Sequence, residues 1–428
     1  MSVVRNVGLL TGASAVRQAI SLAAAPVIAR LFLPAEFGVA GVFFAFAGVL
    51  GVVACLRLDL AIVVPESDDE ASDVLIAAVV ATALLVAVTA VLMALFGGGI
   101  ARALGEPEVA VLLPYLPLYL GTLGAYQALE YWATRFERFG RVASAGLVRA
   151  AGTAGAQVAF GFARLASFGL VLGQVLGQVV GLVLLFVSTA RRTSKLTKRR
   201  RSWPSVARVV GKYREFVVFG SSQALVNSVN QGMPAIVLTA TFDASVAGLY
   251  LMAQRLVSAP VGLVGKSVRK VIYPRLSRAL HEGDLFRLAG RATAGLAALA
   301  VVPAILAIWL APAVFVWLLG EEWRTAGAFA RYLVAWLAVG FVNIPSVSIV
   351  PLLDMQRWHA GYEVVYLLFR AAALVVGART GDPILAIALF SGVGVLFNLV
   401  LIAFPLYRAW ALTHRPSRRQ GVTTHVGD

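Results

Sequence analysis

Four arginines stand where apolar sequence should exclude them. Arg17, Arg149, Arg255 and Arg370 each fall inside a run long and apolar enough to cross a bilayer. Each lies roughly seven to eleven residues from the nearer end of its run, so a rise of about 1.5 Å per residue sets it deep in the membrane. One arginine at the bilayer centre costs at least ~2.5–3.5 kcal/mol on insertion scales. Four facing lipid would be prohibitive, so they are predicted to line a hydrated or anion-filled space. The guanidinium fork matches phosphate or carboxylate oxygens, which makes an anionic cargo the expected ligand. The alternative is that they form interhelix ion pairs or cap carbonyls. Glu130 and Glu363 are candidate partners, although both lie nearer the ends of their runs.

Uncharged amides accompany them: Gln223, Asn227, Asn230, Gln231 and Gln254. These could bind sugar hydroxyls, or could join helices at roughly 0.6–2 kcal/mol per bond. The candidate substrate-binding set is therefore Arg17, Arg149, Arg255, Arg370, Asn227 and Gln254. No catalytic group, metal site or cofactor is expected. His281, His359, His414 and His425 are scattered without metal-ligand spacing, and Cys55 is the only cysteine, so no intramolecular disulfide can form. No phosphate-binding Walker motif is present.

Such arginines need helices to carry them, and the composition supplies these. Of 428 residues, 60% are hydrophobic and 14% charged, against roughly 25% charged in a soluble domain. The mean hydropathy is +0.84. A spanning helix takes about 20 mostly apolar residues. The pattern predicts twelve spans, at 6–31, 37–57, 74–97, 110–132, 142–162, 166–190, 214–240, 246–270, 290–310, 327–352, 361–378 and 383–407. The fifth is the least apolar, being rich in Gly and Ala. The first imitates a signal peptide, but Arg17 and Gln18 interrupt its core and the run continues through Ile28. It is read as the first span.

The net charge of +16 would suggest nucleic acid in a soluble protein. Here the basic residues sit between apolar runs and report topology instead. Placing both termini in the cytoplasm puts Lys195, Lys198, Arg199, Arg200 and Arg201 inside, with Lys266, Arg269, Lys270, Arg275 and Arg278. The outer loops and their edges then keep only Arg30, Arg102, Arg164, Arg324 and Arg379. This asymmetry fits the positive-inside rule. Glu66, Asp68, Asp69, Glu70 and Asp73 run against it, but acidic residues count little there. The Lys195–Arg201 run is read as a linker, with attraction to anionic lipid or nucleic acid as the other readings.

The chain repeats itself. Gly12 and Pro26 are fourteen apart, as are Gly220 and Pro234; Phe32 and Gly38 are six apart, as are Phe242 and Gly248. Pro65 in Ile62-Val63-Val64-Pro65 matches Pro274 in Val271-Ile272-Tyr273-Pro274, and all offsets lie between 208 and 210 residues. Duplication predicts an all-α membrane protein of two pseudo-symmetric six-helix bundles. The expected divisions are 1–190, a basic linker 191–213, 214–408 and a tail 409–428. Transporters of two such halves bind near the midplane, between bundles. Pro26 and Pro234 remove a backbone hydrogen bond at matching positions and invite kinks, unless they only reflect how common proline is in membrane helices.

Several segments resemble one family. Arg30-Leu31-Phe32-Leu33-Pro34-Ala35-Glu36-Phe37-Gly38 is similar to the first interhelix turn of bacterial polysaccharide flippases. Arg57-Leu58-Asp59-Leu60-Ala61-Ile62 with Pro65-Glu66 resembles the end of their second helix, and Val271-Ile272-Tyr273-Pro274-Arg275-Leu276-Ser277 the segment after their eighth. Gly320-Glu321-Glu322-Trp323-Arg324-Thr325-Ala326-Gly327 resembles the loop before their tenth. The resemblance is to the O-antigen and exopolysaccharide branch of the multidrug/oligosaccharidyl-lipid/polysaccharide exporter superfamily. It implies a V-shaped fold of about twelve helices that flips undecaprenyl-pyrophosphate-linked oligosaccharide from the inner to the outer leaflet of the cytoplasmic membrane. It also implies lumen cations around the pyrophosphate, which Arg17 and Arg255 match by helix position. Arg149 and Arg370 match no family motif. Membrane lipids and polysaccharide polymerase machinery are the further partners implied; nucleic acid is not. The rival readings are a lipid II flippase, a multidrug exporter, and a membrane polysaccharide polymerase or ligase. Multidrug exporters usually need membrane carboxylates, lipid II flippases often carry more helices, and the polymerases tend to need a large outer loop.

Overall fold

The structure is a computed structural model that describes residues 3–197 and 203–413. Residues 198–202, with part of the basic linker, and 414–428, most of the tail, lie outside the described residues. Every regular element among the described residues is helical. An apolar chain in lipid has no water for its backbone, and a helix satisfies its N–H and C=O groups internally.

The long helices of the first half are α1 (Val3–Leu31), α2 (Pro34–Gly51), α3 (Asp68–Leu104), α4 (Leu116–Arg135), α5 (Phe139–Phe162) and α6 (Ala166–Thr197). Those of the second are α7 (Ser221–Thr241), α8 (Ala244–Glu282), α9 (Leu285–Leu319), α10 (Arg324–Val342), α11 (Gln356–Ala378) and α12 (Pro383–Thr413). Among the described residues, ten helical segments are long and apolar enough to cross a membrane, and α5 and α7 are not among them. Both carry polar side chains on faces that meet a cavity rather than lipid, which lowers their hydropathy. Trp317 on α9 is 78% exposed, which suits a lipid surround and not water.

Within the first half α5 packs on α1 and α6, and α3 and α6 pack on α4; within the second α9 packs on α10, α11 on α12, and α10 on α8 and α12. The halves meet where α2 lies against α7 and α8. That contact is reciprocal. A Cβ on Gly38 would overlap the Ala244 carbonyl, and one on Gly248 would overlap the Pro34 carbonyl. Gly38 pairs with Gly248, and Pro34 with Ala244, at the same 210-residue offset. The helix ends repeat too, with Leu31 against Thr241 and Pro34 against Ala244. A two-fold-related contact should have this form. Trp323 Nε1 donates to the Ala29 carbonyl at 3.0 Å and the Ala244 N–H to Glu106 Oε1 at 2.8 Å, closing the same end of the seam.

Several boundaries differ from the sequence expectation, two of them by a break in the helix. The second span ends at Gly51, not 57, and the chain turns through Leu56 and Arg57 at φ of 49° and 58°. Left-handed backbone is costly for residues with a Cβ. Here it turns Arg57 towards the seam. The tenth span breaks at Val342 and resumes as short helical turns to Leu353, because Pro345 cannot donate to the helix; beside the break the Asn343 side-chain amide donates to Asn398. Pro65 lies in the turn before α3 whereas Pro274 lies inside α8, so the repeat fades at this end.

The acidic residues that opposed the charge rule are helix-start residues. Ser67 accepts from the Glu70 N–H at 3.2 Å, capping α3, and Asp68, Asp69 and Glu70 occupy its first turn. Negative charge there is favoured by the exposed N–H groups. Asp68 accepts from Arg135 at 3.1 Å and Glu70 from Lys212, tying the linker helix Trp203–Lys212 to the first half.

Candidate functional site: a cationic cavity at the seam

Three cavities run in series across the interface between the halves. The first, about 800 Å³, lies between α1, α2, α4, α5 and α8. The second, about 420 Å³, sits on the seam between α2, α7 and α8. The third, about 500 Å³, lies within the second half, between α7, α8, α10, α11 and α12. Gln157 and Arg255 line both of the first two, and Gln231 and Gln254 both of the last two.

Arg17, Arg149 and Arg255 meet in the first cavity. Arg17 Nη2 donates to Ser14 Oγ at 2.8 Å, one turn earlier on α1. Its guanidinium lies over Gly146 of α5, where a Cβ would come within 2.6 Å of Nη1. Arg149 stands 4.6 Å over the Tyr126 ring and donates from Nη1 to Gln178 Oε1 at 3.1 Å. Arg255 crosses the seam, donating from Nη2 to Ser21 Oγ at 2.8 Å. A guanidinium has five N–H donors, and these anchors engage one nitrogen of each. The remaining donors are available to an anion. Glu130 is within electrostatic reach of Arg149 and Arg17.

Two cations that depth alone did not single out, Arg57 and Lys266, line the same cavity. Both lie near the ends of their expected spans, 37–57 and 246–270, outside the depth that singled out the other arginines. Arg57 reaches the seam through the left-handed turn, and Lys266 through the length of α8; neither has a signature in spacing.

Arg370, Asn227 and Gln254 belong to the third cavity, not the first. The sequence reading of one shared chamber is therefore corrected: the arginines divide between lobes joined through the middle cavity. Arg370 is 4% exposed. It lies 3.9, 4.3 and 5.0 Å from the Phe390, Trp336 and Tyr366 ring centres, and Nη1 donates to Asn230 Oδ1 at 2.7 Å. Glu363 lines the same cavity, 3.8 Å from His359 Nε2. A desolvated cation–π contact is worth about 2 kcal/mol and a charged hydrogen bond about 1.5–3 kcal/mol. Arg370→Ala is thus expected to lower the thermal unfolding midpoint in detergent markedly, whereas Arg17→Ala leaves it nearly unchanged. A scan of the two variants side by side checks this.

The fold is that of a multi-pass helical membrane protein whose two halves meet at a seam lined by cavities. Residues 27–327 match the family described as "Polysaccharide biosynthesis protein", and the chain belongs to that family. The succinoglycan biosynthesis transport protein ExoT of Rhizobium meliloti (strain 1021) is 26% identical over 393 residues, covering 89% of this chain and 73% of that protein. Two solved structures share the fold at 13% identity. The lipid II flippase MurJ, in an inward closed conformation, aligns with a TM-score of 0.72 over 95% of this chain and 90% of its own. An inward-facing multidrug resistance transporter of the MATE family aligns with a TM-score of 0.69 over 92% and 95%.

Proposed function

We propose that this transporter carries a polyprenyl-pyrophosphate-linked oligosaccharide from the inner to the outer leaflet of the cytoplasmic membrane, by alternating access at the seam cavities. The observation that carries the reading is the meeting of Arg17, Arg149 and Arg255 in one cavity at the junction of the halves. A pyrophosphate presents several oxygens to forked donors and gains most where water is excluded. The amides Asn227, Gln231 and Gln254 extend from it into the second half and suit sugar hydroxyls. ExoT, a relative by sequence, bears a name in polysaccharide transport.

With α5 and α7 crossing beside the ten apolar segments, the chain makes twelve passes and both termini fall on the cytoplasmic side. Rocking would part the Gly38–Gly248 contact and close the opposite end. Each negative charge moved outward gains ~2.3 kcal/mol per 100 mV of inside-negative potential, so export needs no nucleotide. A cationic wall disfavours the cationic drugs that a multidrug exporter would take. A polymerase or ligase would change the mass of its glycan, and a transporter leaves it intact.

Proteoliposomes holding a fluorescent polyprenyl-pyrophosphate glycan test the reading. The glycan should change leaflets without changing mass, faster under an inside-negative potential and slower when the potential is reversed. Leaflet exchange no faster than in protein-free vesicles, or a glycan of altered mass, would refute it.

A further inference from the structure

An apolar groove of about 790 Å³ lies on the outer face of the second half, between α8, α9 and α10. No charged or hydrogen-bonding side chain lines it. On α9 its wall includes Leu299, Pro303, Leu306, Leu310, Val314 and Leu318, one continuous helical face. Leu299, Leu306 and Leu310 are each more than half exposed. From Leu299 to Leu318 an α-helix rises roughly 28 Å, close to the ~30 Å of a whole hydrocarbon core.

That length selects the occupant. The acyl chain of a resident phospholipid fills one leaflet, about half of the core. A groove unbroken across both leaflets suits a hydrocarbon chain that changes leaflet while its polar end is held at mid-depth. The groove lies beside such a holding site. Gln254, Arg255 and Ser258 of α8 face the seam cavities, while Leu256, Val257 and Pro260 of the same turns face the groove. Val261 borders both the groove and the third cavity. Leu318 borders both the groove and a small cavity formed with Pro26, Val27 and Leu31 of α1. One end of the groove therefore borders the cleft where α9 of the second half meets α1 of the first.

We infer that the α8–α9–α10 groove is the binding track for the polyprenyl chain of the cargo while the pyrophosphate occupies the arginine cavity. The inference rests on the proposed function, and its test separates the two. The full chain in proteoliposomes is photolabelled with polyprenyl diphosphate bearing a diazirine near its tail end. A parallel arm uses a phospholipid with the diazirine on its acyl chain. Tail-probe labelling should fall on the 299–318 segment of α9 and be displaced by unlabelled polyprenyl diphosphate. Phospholipid labelling there that polyprenyl diphosphate does not displace would make the groove a seat for ordinary lipid and overturn the inference. Tail labelling confined to α1, α5 and the seam would overturn it while leaving the transport reading standing. Labelling nowhere would overturn both. In a second measurement, filling the groove with Ala304→Trp and Ala307→Trp should lower the ratio of long-chain to geranyl diphosphate binding by about ten-fold. An unchanged ratio in folded protein contradicts the track.

Discussion

A chain carrying both Arg17→Ala and Arg255→Ala should reach the membrane at normal levels and export its glycan at least about a hundred-fold more slowly at limiting cargo. A hydrogen bond to a charged group contributes about 1.5–3 kcal/mol, and more when the partner is left buried and unpaired. Each lost guanidinium then costs about ten- to a hundred-fold in binding. The two act on one ligand, so the double loss should fall short of the product of the singles. Folding should survive, because the structure spends on these groups only one hydrogen bond from Arg17, to Ser14, and two from Arg255, both to Ser21. Ser21→Ala serves as the control. It removes the shorter of the two bonds that anchor Arg255, leaving the one to the Ser21 carbonyl, without removing the charge, and should slow export only a few-fold. Arg255→Lys keeps the charge but not the fork, and should fall between. Translocation in proteoliposomes, normalised to membrane protein by immunoblot, reads these three variants against the parent.

The second large effect is expected at the seam. Gly38→Ala places a methyl group on the Ala244 carbonyl, and Gly248→Ala does the same at Pro34. The contact is backbone on backbone, so no side chain can rotate away. Overpacking a tight site costs typically about 1–3 kcal/mol, here levied only on the state in which this end is closed. Either substitution should shift the population by about ten-fold or more towards the state in which this end is parted, and export should fall because one half of the cycle is disfavoured. A single cysteine at Ala40, buried beside the contact, in a background lacking Cys55, should become reactive to an impermeant maleimide added from the Gly38 side in the variant and not in the parent. Equal reactivity in both would contradict a closing seam.

Much of this was legible before any coordinates. Long apolar runs admit one solution in lipid, so helices and their order follow from composition and length. The repeat was readable because Gly38 and Gly248 are constrained by the same close approach, and only glycine meets it. Arg17, Arg149 and Arg255 were readable because a mid-span charge has so few tolerable environments. What depth could not report was which cavity a charge faces. Arg370 sits as deep as the others, yet three aromatic rings and Asn230 hold it in the second half. Arg57 and Lys266 were hidden by the opposite problem, since positions near the ends of their apolar runs are common for basic residues that merely snorkel. The groove on α9 left no mark either, because an apolar face looking at lipid and one looking at a cargo chain have the same composition.

Recognition of pyrophosphate by the arginines of the seam cavity makes the charged headgroup, not the hydrocarbon chain, the main determinant of affinity. Equilibrium binding of polyprenyl pyrophosphate and of the matching polyprenyl alcohol to the purified chain, and to one bearing Arg17→Ala, Arg149→Ala and Arg255→Ala, tests it most directly. The pyrophosphate should bind the parent at least about a hundred-fold more tightly than the alcohol, and that preference should vanish in the triple variant. Equal affinity of the parent for both lipids, or a preference that survives loss of all three arginines, would contradict it.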